Sequence, residues 1–173
     1  AALSPVLAGI ADYSGKRKFF LKVFTFIGSI ACTLLYFFNT SDNIDLGILS
    51  FMTATIGFSG GLVFYNAFLP VIASEDRYDN TSAKGFTFGY IGSVILLIIS
   101  LFVIGKHEIF GIVDKTQAVR LSFIFVGIWW FGFAQIPFRR LPADKAGSIH
   151  GDDLSRGFKE LKKVWQKVKN YPQ

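Results

Sequence analysis

A short run near the start of the chain brings together an acid, a glycine and three basic residues: Asp12-Tyr13-Ser14-Gly15-Lys16-Arg17-Lys18. Asp12 follows a stretch of small and apolar residues, and a carboxylate at a membrane edge can meet a helix N-terminus or a cation. Gly15 permits a tight turn because it has no Cβ. The basic residues can anchor that turn in water on one side of a bilayer. The pattern predicts a turn between two helices that carries one interacting carboxylate.

Neutral polar side chains inside two apolar stretches form a second group with binding chemistry. Asn66 has the amide that is most costly to leave unpaired in lipid, so we expect it to face protein or a cavity. A hydrogen bond between helices explains Asn66 as well as a contact with a substrate does. The same two stretches contain further hydroxyl groups, on Thr53, Thr55, Ser59, Tyr65, Tyr90, Ser93 and Ser100.

Enzymatic, metal and redox chemistry find little support in the sequence. Cys32 is the one cysteine, and His107 and His150 lie in separate segments without the spacing of metal ligands. No nucleophile–base pair or carboxylate pair lies at membrane depth, which argues against an enzyme. Charged residues in the apolar stretches lie only at their edges, with Lys22 near the start of the first and Arg120 at the start of the last, so this part of the chain offers no charged proton carrier at mid-depth. We expect no metal and no cofactor.

Four long apolar stretches must position these residues. The chain has 173 residues, of which 51% are hydrophobic and only 17% charged, whereas a soluble domain carries about a quarter charged residues. Each stretch approaches the ~20 residues that cross a bilayer as a helix. A soluble core of four such helices would need more polar surface than this chain has. We predict an all-α, polytopic helical membrane protein with spans at about 19–38, 46–72, 86–104 and 119–138.

The two ends of the chain are predicted to form other elements. Residues 1–11 are apolar but too short to span a bilayer, and we interpret them as the last turns of a further membrane helix. The tail, 139–173, contains a predicted helix at about 153–170 with one apolar stripe and many lysines. Such a helix suits an anionic lipid surface, and it equally suits packing against the ends of the bundle.

Positive charge indicates the orientation of the chain. Lys and Arg in short flanking segments favour the cytoplasm, and they are concentrated in the segment 12–18 and in the tail. Because an even number of spans separates these two segments, they lie on the same side, and the loop 73–85 must lie there as well. We therefore predict that segments 12–18, 73–85 and 139–173 are cytoplasmic, and that loops 39–45 and 105–119 face the opposite side.

The run around Asp12 resembles the turn between the second and third helices of major facilitator superfamily transporters. The matching residues are Ile10, Ala11, Asp12, Gly15, Lys16 and Arg17. Two positions depart from the pattern, since its glycine falls on Ala8 and its basic residue after the acid is Tyr13. The form Ala-Asp-Tyr-Ser-Gly is similar to the vacuole-effluxer-like branch, which includes amino-acid effluxers of fungal vacuoles and bacterial relatives. Segments 64–70, 89–93 and 129–137 share this likeness.

The resemblance implies a partial six-helix half of a major facilitator fold. Residues 1–138 would form the membrane bundle, with 1–11 ending the second helix and the four spans being the third to sixth. The tail would be the central cytoplasmic linker, and a C-terminal helical half would be the missing partner. The implied function is secondary transport of a small solute, with amino acids as the suggested class, by alternating access. A non-transporting membrane scaffold or receptor subunit is the alternative.

The same resemblance implies two sets of site residues. Asp12, Gly15, Lys16 and Arg17 would form a cytoplasmic gating motif in which Asp12 latches the two halves together. The alternative is that Asp12 caps only the turn of its own helix. The second and third spans would line the cavity, with candidate substrate contacts at Ser59, Tyr65, Asn66, Tyr90 and Ser93. The expected location is a bacterial inner membrane rather than a vacuolar one, with membrane lipid as a partner and no nucleic acid.

Overall fold

A computed structural model describes Leu7 and residues 15–39 and 43–144. Its main elements are the long helices α1 Arg17–Leu34, α2 Ile44–Asn66, α3 Tyr78–Gly105 and α4 Lys115–Arg140. Shorter helical pieces lie between them at Leu35–Phe37, Leu69–Ile72, Glu75–Arg77 and His107–Phe110. The predicted helix end at 1–11, most of the turn around Asp12 and the predicted tail helix at about 153–170 lie outside the described residues.

The four long helices are each long and apolar enough to cross a membrane, which confirms the prediction of four apolar helices, and the elements in the described residues are all helical. α3 begins at Tyr78, upstream of the apolar stretch that starts at Phe86, because the polar residues before Phe86 are helical too. Asp79 lies in the first turn of α3, where a carboxylate interacts favourably with the helix dipole. The helix thus extends about two turns beyond its apolar segment.

A reciprocal cap determines where α4 begins. Asp114 Oδ1 accepts the backbone N–H of Gln117 at 2.7 Å, and Gln117 Oε1 accepts the N–H of Val113 at 3.1 Å. These bonds satisfy backbone donors that have no acceptor within the helix. Pro137 lies in the last turn of α4, where it removes one backbone donor, and the helix ends at Arg140.

Glycines bring the backbones of α1 and α2 into direct contact. A Cβ added to Gly57 would lie 2.6 Å from the Cα of Gly28, so Gly57 does not tolerate a larger side chain without a shift of the helices. The buried residues of α2 recur every three or four positions and are mostly small: Gly47, Ser50, Ala54, Gly57, Gly60, Gly61 and Phe64. Close approach of this kind stabilises helix pairs in a membrane through van der Waals packing.

α1 also packs against α4, again through small residues. The indole of Trp130 lies directly over Gly28, where a Cβ would overlap the ring. A Cβ on Gly127 would overlap Thr33 Oγ1 and would lie 2.7 Å from the carbonyl oxygen of Ser29. α1 is therefore the central helix of the described bundle, because it packs closely against both α2 and α4.

α3 is the most exposed of the four helices. Only Ser100 and Val103 are buried among its residues, and it contacts the bundle mainly through α4. Large apolar side chains such as Phe88 and Leu97 are 73% and 57% exposed, as expected for a surface that meets lipid or further helices rather than water.

Candidate functional site

The turn that opens α1 contains three of the four residues of the predicted gating motif. Gly15 has a φ of 63°, in the left-handed region that glycine enters without a steric penalty. Lys16 occupies the N-cap position and Arg17 is the first helical residue. Because a lysine side chain carries no hydrogen-bond acceptor, the cap for this helix must come from elsewhere. Asp12 lies outside the described residues, so its contact stays a prediction.

The missing cap is supplied by Asp144, which follows the end of α4. Its Oδ1 accepts the backbone N–H of Lys18 at 2.7 Å, and its Oδ2 accepts the N–H of Phe19 at 2.8 Å. Both donors belong to the first turn of α1, where N–H groups lack helical acceptors. The carboxylate also lies at the positive end of the helix dipole, which favours a negative charge there.

A second bond reinforces this connection between α1 and the end of α4. The Lys18 ammonium donates to the carbonyl oxygen of Leu141 at 2.6 Å, one of the carbonyls that a helix end leaves without a partner. Asp144 and Lys18 therefore link the two helix ends in both directions. The sequence contained one indirect signal for this contact, namely a helix start with a lysine in place of a capping side chain.

Beneath the turn, aromatic packing joins the ends of three helices. Phe64 of α2 is fully buried, and its ring stacks on Phe20 and Phe24 of α1 at centroid distances of 5.0 and 5.6 Å. Phe138 of α4 belongs to the same cluster, and the Lys22 ammonium lies 5.8 Å from the centroid of its ring. The turn that opens α1 thus rests on a packed apolar base.

The candidate solute contacts on α2 lie away from the contact with α1. Ser59 and Asn66 are exposed, whereas the glycines that contact α1 occupy the opposite face of the helix. Seven residues separate Ser59 from Asn66, which places them on one face, about two turns apart. Within the described part of the chain, no hydrogen bond is seen from either side chain. Two neutral polar groups therefore lie on an outer face of a membrane helix without protein partners there.

Tyr65 links α2 to α3. Its hydroxyl group contacts α3 at Gly85, where a Cβ would overlap the oxygen. Measured from the level of the Tyr65–Gly85 contact, Ser59 lies about 9 Å away along α2 and Tyr90 about 7.5 Å away along α3. Both lie on the same side of that level, because the two helices run in opposite directions. Tyr90 is 72% exposed, and the hydroxyl of Ser93 donates to the carbonyl oxygen of Gly89 at 2.8 Å. From Asn66 to Ser93 the five candidates spread over about 13.5 Å of depth, and in the described structure Tyr90 and Ser93 make no hydrogen bond with Ser59 or Asn66.

Side chains that could hold a metal ion are not grouped in the described part of the chain. Among residues 15–39 and 43–144, no group of three or more His, Cys, Asp or Glu residues lies close enough to hold a metal ion. The arrangement offers neutral hydroxyl and amide groups within the membrane and charged groups at the turn that opens α1.

The chain is similar to membrane transporters. The family model described as "Vacuole effluxer Atg22 like" matches residues 1–173. A protein of Bacillus subtilis named as an uncharacterized MFS-type transporter is 37% identical over 177 residues, which cover 99% of this chain and 40% of that protein. Autophagy-related protein 22 of Saccharomyces cerevisiae is 26% identical over 166 residues, which cover 85% of this chain and 30% of the yeast protein. The chain thus spans less than half the length of these relatives. No solved structure matches it.

Proposed function

Because this chain belongs to the vacuole effluxer Atg22-like family, we propose that it is part of a secondary transporter that moves a small solute by alternating access. The family and its relatives are transporters and not enzymes, and the four apolar helices make the chain a multi-pass integral membrane protein. The transporter relatives favour this function over that of a membrane scaffold.

The observation that carries the proposal is the polar face of α2. Burying an unpaired amide or hydroxyl in hydrocarbon is costly, yet Ser59 and Asn66 lie on a face that no described helix covers. Such a face is stable if it lines a water-filled path, where a solute can take the place of water. Neutral donors and acceptors suit a zwitterionic solute, and amino acids are the class that we propose.

The remainder of the transport path belongs to a second helical half, which we propose as the partner of this bundle. The chain covers 40% of its Bacillus subtilis relative, which leaves ample length for further helices. In transporters built from two helical units, the solute site lies between the units near the middle of the membrane. Ser59, Tyr65 and Asn66 on α2, with Tyr90 and Ser93 on α3, are our candidates for the side of that site formed here.

The turn around Asp12, Gly15, Lys16 and Arg17 is proposed as the cytoplasmic gate of this path. Asp144 supports the proposal because it fixes the start of α1 to the end of α4. Because α1 and α4 are joined in this way, a movement of the turn at Asp12 would move both helices together. In the proposed topology, segments 12–18, 73–85 and 139–173 face the cytoplasm of a bacterial cell.

Solute counterflow tests this function. The full-length protein that contains this chain is reconstituted in vesicles loaded with one unlabelled amino acid, and entry of the same labelled amino acid is measured across a panel. We expect at least one amino acid to accumulate above protein-free vesicles. Asn66→Ala should reduce its entry about tenfold, the effect of losing about 1.4 kcal/mol of solute hydrogen bonding.

Thr87→Ala is the matched control for that variant. Thr87 is an exposed polar residue of α3 that is not among the candidate solute contacts, so its loss should leave entry unchanged. Folded protein that accumulates none of the panel would refute amino-acid transport. If Asn66→Ala and Thr87→Ala change entry equally, the polar face of α2 does not line the transport path.

A further inference from the structure

An apolar groove runs between α1 and α4 on the surface of the bundle. Its volume is about 380 Å³, and its walls are formed mainly by Phe26, Ile30 and Leu34 of α1 and by Gly127, Ile128 and Phe131 of α4. The groove exists because Gly127 has no side chain and lies against Ser29 and Thr33. The larger side chains beside these three residues form the two sides of the groove. Its lining is almost entirely apolar, as is the hydrocarbon that surrounds a membrane helix.

A half-buried arginine lies beyond one end of this groove. Arg120 Nε donates to the carbonyl oxygen of Tyr36 at 2.7 Å, and the guanidinium lies 5.4 Å from the centroid of the Tyr36 ring. Arg120 precedes Gly127 by seven residues, so it lies on the same face of α4 and about 10.5 Å nearer the helix start. Long side chains on a helix lean toward its N-terminus, which carries the guanidinium to the membrane boundary.

The dimensions of this arrangement fit one leaflet of a bilayer. Eleven residues separate Arg120 from Phe131, a rise of about 16.5 Å, and half of a ~30 Å hydrocarbon core is about 15 Å. The rings of Phe26 and Phe131 lie 5.1 Å apart and close the groove at the end farther from Arg120. The groove therefore begins near a cationic group at the bilayer edge and ends near the mid-plane.

We propose that this groove binds a phospholipid from the leaflet beside residues 106–114, with one acyl chain between α1 and α4 and the phosphate on Arg120. A guanidinium has five N–H donors, and the bond to Tyr36 uses one of them while fixing the side chain in place. Within the described residues, no carboxylate is paired with Arg120. A phosphate oxygen at the membrane edge accepts charge-assisted hydrogen bonds from such a guanidinium.

Photo-crosslinking in nanodiscs tests the proposal on the full-length protein. The probe is a phosphatidylglycerol with a diazirine in the middle of one acyl chain. We expect it to label residues 127–131 of α4, and Arg120→Gln should lower that labelling about fivefold through loss of charge-assisted bonds. Lys115→Gln is the matched control, because Lys115 is an exposed cation in the first turn of the same helix and should leave labelling unchanged.

A second variant keeps the test independent of any folding defect in Arg120→Gln. Ile128 is 63% exposed on the wall of the groove, so Ile128→Trp fills the groove while Arg120 stays in place, and it should lower labelling as well. Labelling that neither variant changes would overturn the proposal. Equal labelling by a neutral diacylglycerol with the same photoreactive chain would also overturn it, because the phosphate would then make no difference to binding. A disulfide between Ile128→Cys and a cysteine introduced in another helix of the full-length protein would overturn it as well, because protein would then occupy the groove.

Discussion

The carboxylate of Asp144 accepts the backbone N–H of Lys18 at 2.7 Å, although 126 residues separate the two along the chain. Lys18 in turn donates its ammonium to the carbonyl oxygen of Leu141 at 2.6 Å. Through these bonds a residue just after α4 caps the first turn of α1, whose own N-cap residue, Lys16, makes no capping bond with its side chain. The start of the first described helix and the exit from the last one therefore form a single structural unit.

Removing this cap should loosen the start of α1. We expect Asp144→Ala to destabilise the protein by about 1 kcal/mol, as losing an N-cap carboxylate does elsewhere, and to speed amide exchange at residues 18 and 19. Thermal unfolding in detergent and hydrogen exchange measure the two effects. Asp76→Ala is the control, because Asp76 is 74% exposed and its ion pair with Arg77 spans 3.8 Å, a pair that contributes little. Equal stability of the two variants would contradict the capping role.

The contact between α1 and α2 should be sensitive to a single methyl group. Gly57→Ala places a Cβ 2.6 Å from the Cα of Gly28, so the helices must separate, at a cost of about 1–3 kcal/mol. We expect a lower unfolding temperature and a lower yield of folded protein in detergent. Gly89→Ala is the matched control, since a Cβ at Gly89 has no atom within 4 Å. If the two substitutions behave alike, close packing of α1 on α2 is wrong.

The predicted latch at Asp12 concerns the balance between the states open to either side of the membrane, not the stability of the fold. If Asp12 holds the two halves of the transporter together at the cytoplasmic side, Asp12→Asn should weaken a charge–dipole contact of about 0.3–1 kcal/mol. The population open to the cytoplasm should then rise up to about fivefold. Cysteine accessibility from the two sides of the membrane measures that ratio. Asp79→Asn, at an exposed acid in the first turn of α3, should leave it unchanged, and an unchanged ratio in Asp12→Asn would rule out the latch.

The four membrane helices follow from local composition, which is why the sequence predicts them. A stretch of about 20 apolar residues can satisfy its backbone in lipid only as a helix, whatever its neighbours are. The start of α3 was less predictable, because Tyr78 and the polar residues after it are helical without being apolar. Helix starts depend on capping and on the dipole as well as on hydropathy.

The contacts between helices could not be predicted, because they join residues far apart in the sequence. Arg120 donates to the carbonyl oxygen of Tyr36 across 84 positions, and nothing near either residue signals the other. Tyr65 was a candidate solute contact because it is a polar residue in a span that, by the family resemblance, lines the cavity, and the structure places its hydroxyl against α3 at Gly85. A tyrosine at membrane depth can contact a solute or pack against a neighbouring helix, and only the position of that helix distinguishes the two roles.

The most direct test of the account is whether water reaches the polar face of α2 from both sides of the membrane in turn. In a cysteine-free background of the full-length protein, Ser59→Cys is exposed to a membrane-impermeant maleimide from either side, with Leu97→Cys, on the exposed apolar surface of α3, as the control. We predict labelling of Ser59→Cys from each side, protection by the transported amino acid, and no labelling of Leu97→Cys. A cysteine at position 59 that reacts from neither side, in protein that is folded, would contradict an alternating-access path along α2.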